Sequence, residues 1–180
     1  MVDISLAVLG KWLVFPATWL SNRHNRQRAS GARVEAMTII LCRVPEPSVV
    51  VVQSAYDSLW MFPQEGIDSA ESVLDAAVRG FYEECGGSLV GKDGSARKGI
   101  HFRGAKYVDT LVLPRDRWGE RPVAKGVEDG PLGMVRMRKK AYWAAFFVVD
   151  DQSRVRLSPN QTEVLDVTWL NLDDAWARFG

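Results

Sequence analysis

The chain has 180 residues, of which 47% are hydrophobic, with seven tryptophans and a formal net charge of +1. That is enough apolar material for one compact domain around a single core, and no second domain is required. The near-neutral total points to no partner by itself, and Cys42 and Cys85 stand too far apart for the paired spacing of zinc or thiol-redox sites. Both cysteines fit reduced, buried thiols of an intracellular protein.

Charge is unevenly placed along the chain. From Ile4 to Val34 there is no acid, whereas Lys11, Arg23, Arg26, Arg28 and Arg33 are basic. The apolar run from Ile4 to Leu20 is interrupted by Gly10, Lys11 and Pro16, so it is too broken to span a bilayer. It also lacks a small-residue cleavage site after a basic head. Trp12, Phe15, Trp19 and Leu20 suit one packed helix, with Ser21 to Arg33 as a basic connector. The same acid-poor, Arg-rich start resembles a mitochondrial presequence, which leaves cytoplasm and mitochondrion both open. Residues 1–33 are accordingly expected to form an N-terminal segment, a possible docking surface for a protein partner, ahead of a domain spanning 34–180.

Val34 to Val44 reads as a buried strand, Pro45-Glu46-Pro47 as a turn and Ser48 to Gln53 as a second strand, together a hairpin. Asp68 followed three residues later by Glu71 predicts a helix-opening capping box, and Gly86-Gly87 predicts the helix end, giving a helix from about Ser69 to Cys85. Within it Val73, Ala77, Phe81 and Cys85 recur every four residues, with Leu74, Val78 and Tyr82 beside them, as a broad apolar face. Positions 80, 83 and 84 share another surface, since residues three and four apart are neighbours on a helix. Glu83 and Glu84 repel one another unless a cation or base lies between them, and hard oxygen ligands suit magnesium. A plain acidic patch on a solvated helix is the competing reading of such a pair.

The spacing favours the chemical reading. Glu71, Arg79, Phe81, Glu83, Glu84 and Gly86 fall in register, without insertion, on the pattern Gly, five residues, Glu, seven residues, Arg-Glu, apolar, any, Glu-Glu, any, Gly. This segment closely resembles the Nudix box. The approach Trp60-Met61-Phe62-Pro63-Gln64 also resembles that of Nudix enzymes acting on RNA 5′ ends, the RNA pyrophosphohydrolase and mRNA-decapping types. Two positions depart from the box: Glu65 stands at its opening Gly, with Gly66 following, and Gly80 replaces the Glu after the Arg. In the family that Glu is commonly a metal ligand and sometimes the general base.

The resemblance implies an α/β Nudix fold, an α/β/α sandwich with a central mixed β-sheet, and Mg2+ or Mn2+ as cofactor. It implies Glu83 and Glu84 as metal-binding and catalytic acids, Arg79 as their supporting cation, and Glu71 and Gly86 as structural residues. Gln64 and Glu65 join the candidate metal ligands. Gly in a helix interior costs roughly 0.5–1 kcal/mol relative to Ala, so something else must favour Gly80. Either a ligand or partner approaches closely there, or Glu65 reaches the metal cluster from a different backbone position.

Beyond the helix, Gly86 to Gly104 carries six glycines together with Lys92, Arg97, Lys98 and Arg103, and reads as a mobile basic loop without the Walker order. Ala105 to Leu113 fits a strand, and Pro114 to Met134 an irregular excursion suited to substrate contacts. Arg136 to Lys140 leads into the β-forming run Ala141 to Val149, which resembles the basic-then-aromatic strand of the RNA pyrophosphohydrolases. Arg138 and Lys140 are candidates to grip phosphates, and Trp143 or Tyr142 to stack on a base; a core strand with a solvated basic start explains the same residues equally well. Glu163, six residues before Trp169, resembles the acid of the last Nudix strand and is a candidate distal catalytic acid or an exposed strand residue. Asp173 to Phe179 closes the chain as a helix.

Two functions from different classes follow. One is a metal-dependent hydrolase of a pyrophosphate bond in a nucleoside polyphosphate, with an RNA 5′ end favoured and dinucleoside polyphosphates or nucleotide sugars in the same class. The other is a catalytically impaired Nudix-fold module that binds RNA or a protein, for which Gly80 is the main support.

Overall fold

The computed structural model describes residues 32–68, 70–91, 93–113 and 138–179. The N-terminal segment, the excursion 114–134 and the side chain of Arg138 lie outside the described residues. The elements are β1 (Ala32–Cys42), β2 (Ser48–Ser54), β3 (Trp60–Met61), β4 (Gln64–Gly66), α1 (Val73–Cys85), β5 (Ile100–Leu113), β6 (Arg138–Val149), β7 (Val164–Asn171) and α2 (Leu172–Phe179).

They build a seven-stranded mixed sheet in the order β3-β2-β1-β6-β5, with β4 on β1 and β7 on β2. β1 and β6 run parallel from Ala32↔Lys139 to Cys42↔Val149, and the other pairings are antiparallel. Alternation of side chains along the strands sends alternate residues to opposite faces. On one face Val34, Ala36, Ile40, Trp143 and Phe147 meet Val73, Ala77, Phe81 and Cys85 of α1. On the other, Val49 and Val51 meet Ala175 of α2, with Ile39, Leu41, Trp60, Phe62 and Phe179 at the margin. A sheet between two helices is the sandwich that the resemblance to the Nudix box implies.

Burial of one polar group fixes how α1 lies on the sheet. Thr38, buried in the middle of β1, donates its hydroxyl to the Ala77 carbonyl at 2.9 Å. The donation satisfies a group whose desolvation would otherwise be unfavourable, and it sets the height of the helix over β1.

Several boundaries differ from expectation for identifiable reasons. The hairpin is real only at its tip, Leu41↔Val49 and Cys42↔Ser48; below that β4 takes the place beside β1. The helix begins at Val73, not near Ser69, because Ser72 is the N-cap: its Oγ accepts from the Asp75 amide at 3.1 Å and donates to the Asp75 carboxylate at 2.6 Å. Asp68 and Glu71 close a separate turn before the helix, with the Asp68 amide on Glu71 Oε2 and the Glu71 amide on the Asp68 carbonyl. β5 starts at Ile100, so the end of the expected loop is strand. Tyr82 is 62% exposed and does not join the apolar face. Gly86 does close the helix, at φ 64°, with its amide on the Tyr82 carbonyl.

This placement of the cap is testable. Ser72→Ala should lower unfolding stability by about 0.5–2 kcal/mol, whereas Asp68→Ala, at an exposed position, should change it by less than about 0.5 kcal/mol. Denaturant titration of the two variants checks it; equal losses would return the cap to Asp68.

Candidate active site

Arg79 organises the acidic surface. Its guanidinium donates Nε to Glu71 Oε1 at 2.9 Å and Nη2 to Glu71 Oε2 at 2.8 Å, and Nη2 also reaches the Gly66 carbonyl at 2.9 Å. A forked, charge-assisted pair of this kind holds both partners in one orientation. It therefore ties the end of β4 to the middle of α1. The hydrogen bond to Glu71 raises the Arg79 pKa, so the cation is permanent. Its remaining face turns to Glu83, whose Oε2 lies 3.3 Å from Nη1, and to Glu65, whose Oε2 lies 3.8 Å away.

Glu84 sits deeper. Its Oε2 accepts from the Gln64 backbone amide at 3.1 Å, which makes the turn into β4 part of the site. Burial pushes its pKa up to about 8, opposed by that hydrogen bond and reinforced by the negative charges of Glu65, Glu163 and Glu35. Glu163 is brought near by the end of the helix: the amide of Ser158 bonds the Cys85 carbonyl at 2.7 Å and that of Asn160 bonds the Glu84 carbonyl at 3.0 Å. These contacts satisfy carbonyls that a helix end leaves open. Glu163 is exposed and follows directly.

Gly80 is buried, and the space where its side chain would stand belongs to Glu65. An ideal Cβ at Gly80 would overlap the Cβ of Glu65 and come within 3.2 Å of its Cγ. The Glu65 Oε1 accepts from the Gly66 amide at 2.6 Å. A cavity of about 320 Å³ opens beside it, lined by Arg33, Glu65, Gly66, Ile67, Asp68 and Arg79.

Other expected residues fall elsewhere. Trp143 is 1% exposed and packs edge-on to Tyr107 at 5.8 Å between ring centres, so it is core and offers no open face to a base. Its inward-facing place on β6, under α1, is the reason. Gln64 gives the site its backbone amide, while its side-chain nitrogen lies 3.5 Å from the Met61 sulfur. Lys140 is held by Glu35, with Nζ 3.0 Å from Oε1, and Arg33 approaches the same oxygen at 3.1 Å. Neither cation makes a well-directed hydrogen bond to it, so the contacts are ion pairs. Glu35 is 2% exposed and was not singled out by sequence; its only signal was a lone acid in the apolar run from Val34 to Cys42.

Among the described residues, no three His, Cys, Asp or Glu side chains converge closely enough to form a ready-made metal cluster. Glu83 and Glu65 are drawn toward Arg79, and Glu84 is engaged by Gln64.

The Nudix domain family model matches residues 32–179. The chain belongs to the Nudix family. Its mixed α/β architecture is that of the Nudix fold, and several solved structures share it. An Ap4A hydrolase from C. elegans is 15% identical, with 82% of this chain and 86% of that one covered and a TM-score of 0.52. A Nudix hydrolase from M. smegmatis is 13% identical, covering 81% and 73%, with a TM-score of 0.51. A bifunctional NMN adenylyltransferase/ADP ribose pyrophosphatase from Francisella tularensis, complexed with AMP and a Mn ion, is 16% identical, covering 90% and 43%, with a TM-score of 0.53. At these identities the likeness is one of fold. No curated protein matches the sequence. No helix among the described residues of this Nudix chain is long and apolar enough to cross a membrane.

The crowded carboxylates give a pH signature in metal-free protein. Folding lifts the Glu84 pKa from 4.5 to about 8, so the fold favours the protonated acid. That contribution is complete below pH 4.5 and is lost as pH rises through about 8. Chemical denaturation in the presence of a chelator between pH 5 and 8.5 should show wild type losing stability relative to Glu84→Gln, which stays neutral throughout. Parallel pH profiles for the two proteins would refute the crowding.

Proposed function

We propose that this Nudix protein is a divalent-metal-dependent pyrophosphohydrolase acting on a P–O–P bond of a nucleoside polyphosphate. The observation that carries this reading is Glu84, half-enclosed and under the negative charges of Glu65, Glu163 and Glu35, on a helix clamped by Arg79 and Glu71. So many carboxylates with so little neutralising charge fit a hard dication: a proton on Glu84 serves in its absence.

Glu83 and Glu84 would hold Mg2+ or Mn2+, with Glu163 completing the oxygen donors. When bound, the ion supplies charge neutralisation at the bridging and non-bridging phosphate oxygens and lowers the pKa of a water. Arg79 keeps Glu83 oriented and keeps the Gly66 turn fixed. Glu163, which is exposed, would accept a proton from the attacking water. Arg33, whose side chain is 61% exposed and which lines the cavity next to Glu65, adds a cation for phosphate oxygens.

Within the class, an RNA 5′ end is the finer expectation, supported by the Trp60 to Gln64 approach and by Lys139 and Lys140. Small dinucleoside polyphosphates and nucleotide sugars compete with it, because Trp143 is closed off and Trp60 is covered by Arg178, 4.7 Å above its ring. Gly80 favours the alternative of an impaired binding module.

Incubation with Mg2+ or Mn2+ and, in turn, triphosphorylated RNA, capped RNA, a dinucleoside tetraphosphate and ADP-ribose should release phosphate, pyrophosphate or mononucleotide from at least one. Glu84→Gln should lower kcat/KM for that substrate by about 10²–10⁴-fold. Tight binding that survives Glu84→Gln while no product forms in wild type would establish the non-catalytic module instead. An RNA ligand held by phosphates also loses affinity steeply with salt, which a small nucleotide in a pocket does not.

A further inference from the structure

We infer that Glu65 and Gly80 are one exchanged pair: the carboxylate that the Nudix box places after its arginine is supplied in this chain from β4, across the helix–strand contact. The inference rests on the hydrolase reading above and names a further cation-binding residue for it.

The two departures from the box meet in space. Gly80 faces the start of the Glu65 side chain so closely that a Cβ there would overlap Glu65 Cβ, with Glu65 Cγ at 3.2 Å and Cα at 3.6 Å. Those are the near, least movable atoms of Glu65, so a rotamer change at its tip gives no relief. A side chain at 80 therefore forces the helix or the strand to shift while residue 65 carries its own. The converse also holds, since Gly at 65 would remove the atoms that obstruct position 80. One place on the α1–β4 contact admits one side chain, from either partner.

What fills the place is the acid Glu65, which shares Arg79 with Glu83. Glu65 Oε2 is 3.8 Å from Arg79 Nη1, the nitrogen that also holds Glu83. Backbone geometry supports the arrangement: β4 is pinned to β1 through Ala36↔Glu65, and Arg79 holds the next carbonyl, that of Gly66. Glu65 thus sits on a fixed strand and not on a free loop, which suits a ligand. The helix-interior cost of Gly80 has its reason in this contact.

A reciprocal exchange tests the idea without substrate. Mn2+ affinity, read from the loss of free-ion signal in electron paramagnetic resonance, and thermal midpoint are measured for wild type, Glu65→Gln, Gly80→Glu, Glu65→Gly and the double variant Glu65→Gly/Gly80→Glu. Glu65→Gln keeps the packing atoms and should weaken Mn2+ binding by about 10–100-fold with little change in midpoint. Gly80→Glu alone should lower the midpoint sharply, and the double variant should regain both the midpoint and most of the lost affinity, a strongly non-additive cycle. Unchanged Mn2+ affinity in Glu65→Gln, or a double variant no better than the sum of its singles, would overturn the exchange. If Gly80→Glu fails to fold, Glu65→Gln and the double variant still decide. Wild type that binds no Mn2+ would instead overturn the metal-dependent reading itself, and this inference with it.

Discussion

Helix α1 lies against β4 with no room for two side chains between Gly80 and Glu65, and much of the site's geometry depends on that approach. It is enforced from both sides. The Thr38 hydroxyl draws the Ala77 carbonyl down onto β1, and the Arg79 fork draws the Gly66 carbonyl and Glu71 toward the helix. Directional bonds between partly buried groups do this better than apolar packing, which is non-directional and fixes orientation only loosely. The acids are consequently carried on elements whose relative position is set before any ligand arrives.

Electrostatically the region is a gradient. Arg79 is saturated by Glu71, Glu65 and Glu83, while Glu84, deeper, receives the Gln64 backbone donor among several negative neighbours. On the sheet beside it Glu35 is buried yet shared between Lys140 and Arg33, which spares it the large desolvation cost of a lone buried charge. Tyr142, opposite Glu35 across the parallel pair, has its hydroxyl pushed up to about 12 by burial and by the Glu35 carboxylate. Negative potential here is therefore a property of several strands and not of the helix alone.

Much of the fold was legible because the hydrophobic period was clean: Val73, Ala77, Phe81 and Cys85 are all buried as the four-residue repeat requires. The helix start was not, since Asp68-x-x-Glu71 and Ser72-x-x-Asp75 both satisfy a capping pattern and only the demand of Arg79 for Glu71 chooses between them. The Glu71–Arg79 pairing and the Gly86 helix end follow the register of the box that the segment resembles. Trp143 was not legible, because alternate faces of a strand are equivalent in sequence until a helix covers one of them. Glu35 escaped for a related reason: its partners Arg33 and Lys140 are neighbours only after β1 and β6 pair.

That pairing joins segments roughly a hundred residues apart along the chain, and it lies in the centre of the sheet. A nascent polypeptide that has emerged only as far as the Nudix helix has Glu83, Glu84 and Arg79 but lacks the strand that brings Lys140 to Glu35. Forms ending before β6 thus leave Glu35 with Arg33 but without Lys140, on an unfinished β surface. Arrival of β6, more than formation of the helix, is the step that closes the ion pairs around Glu35.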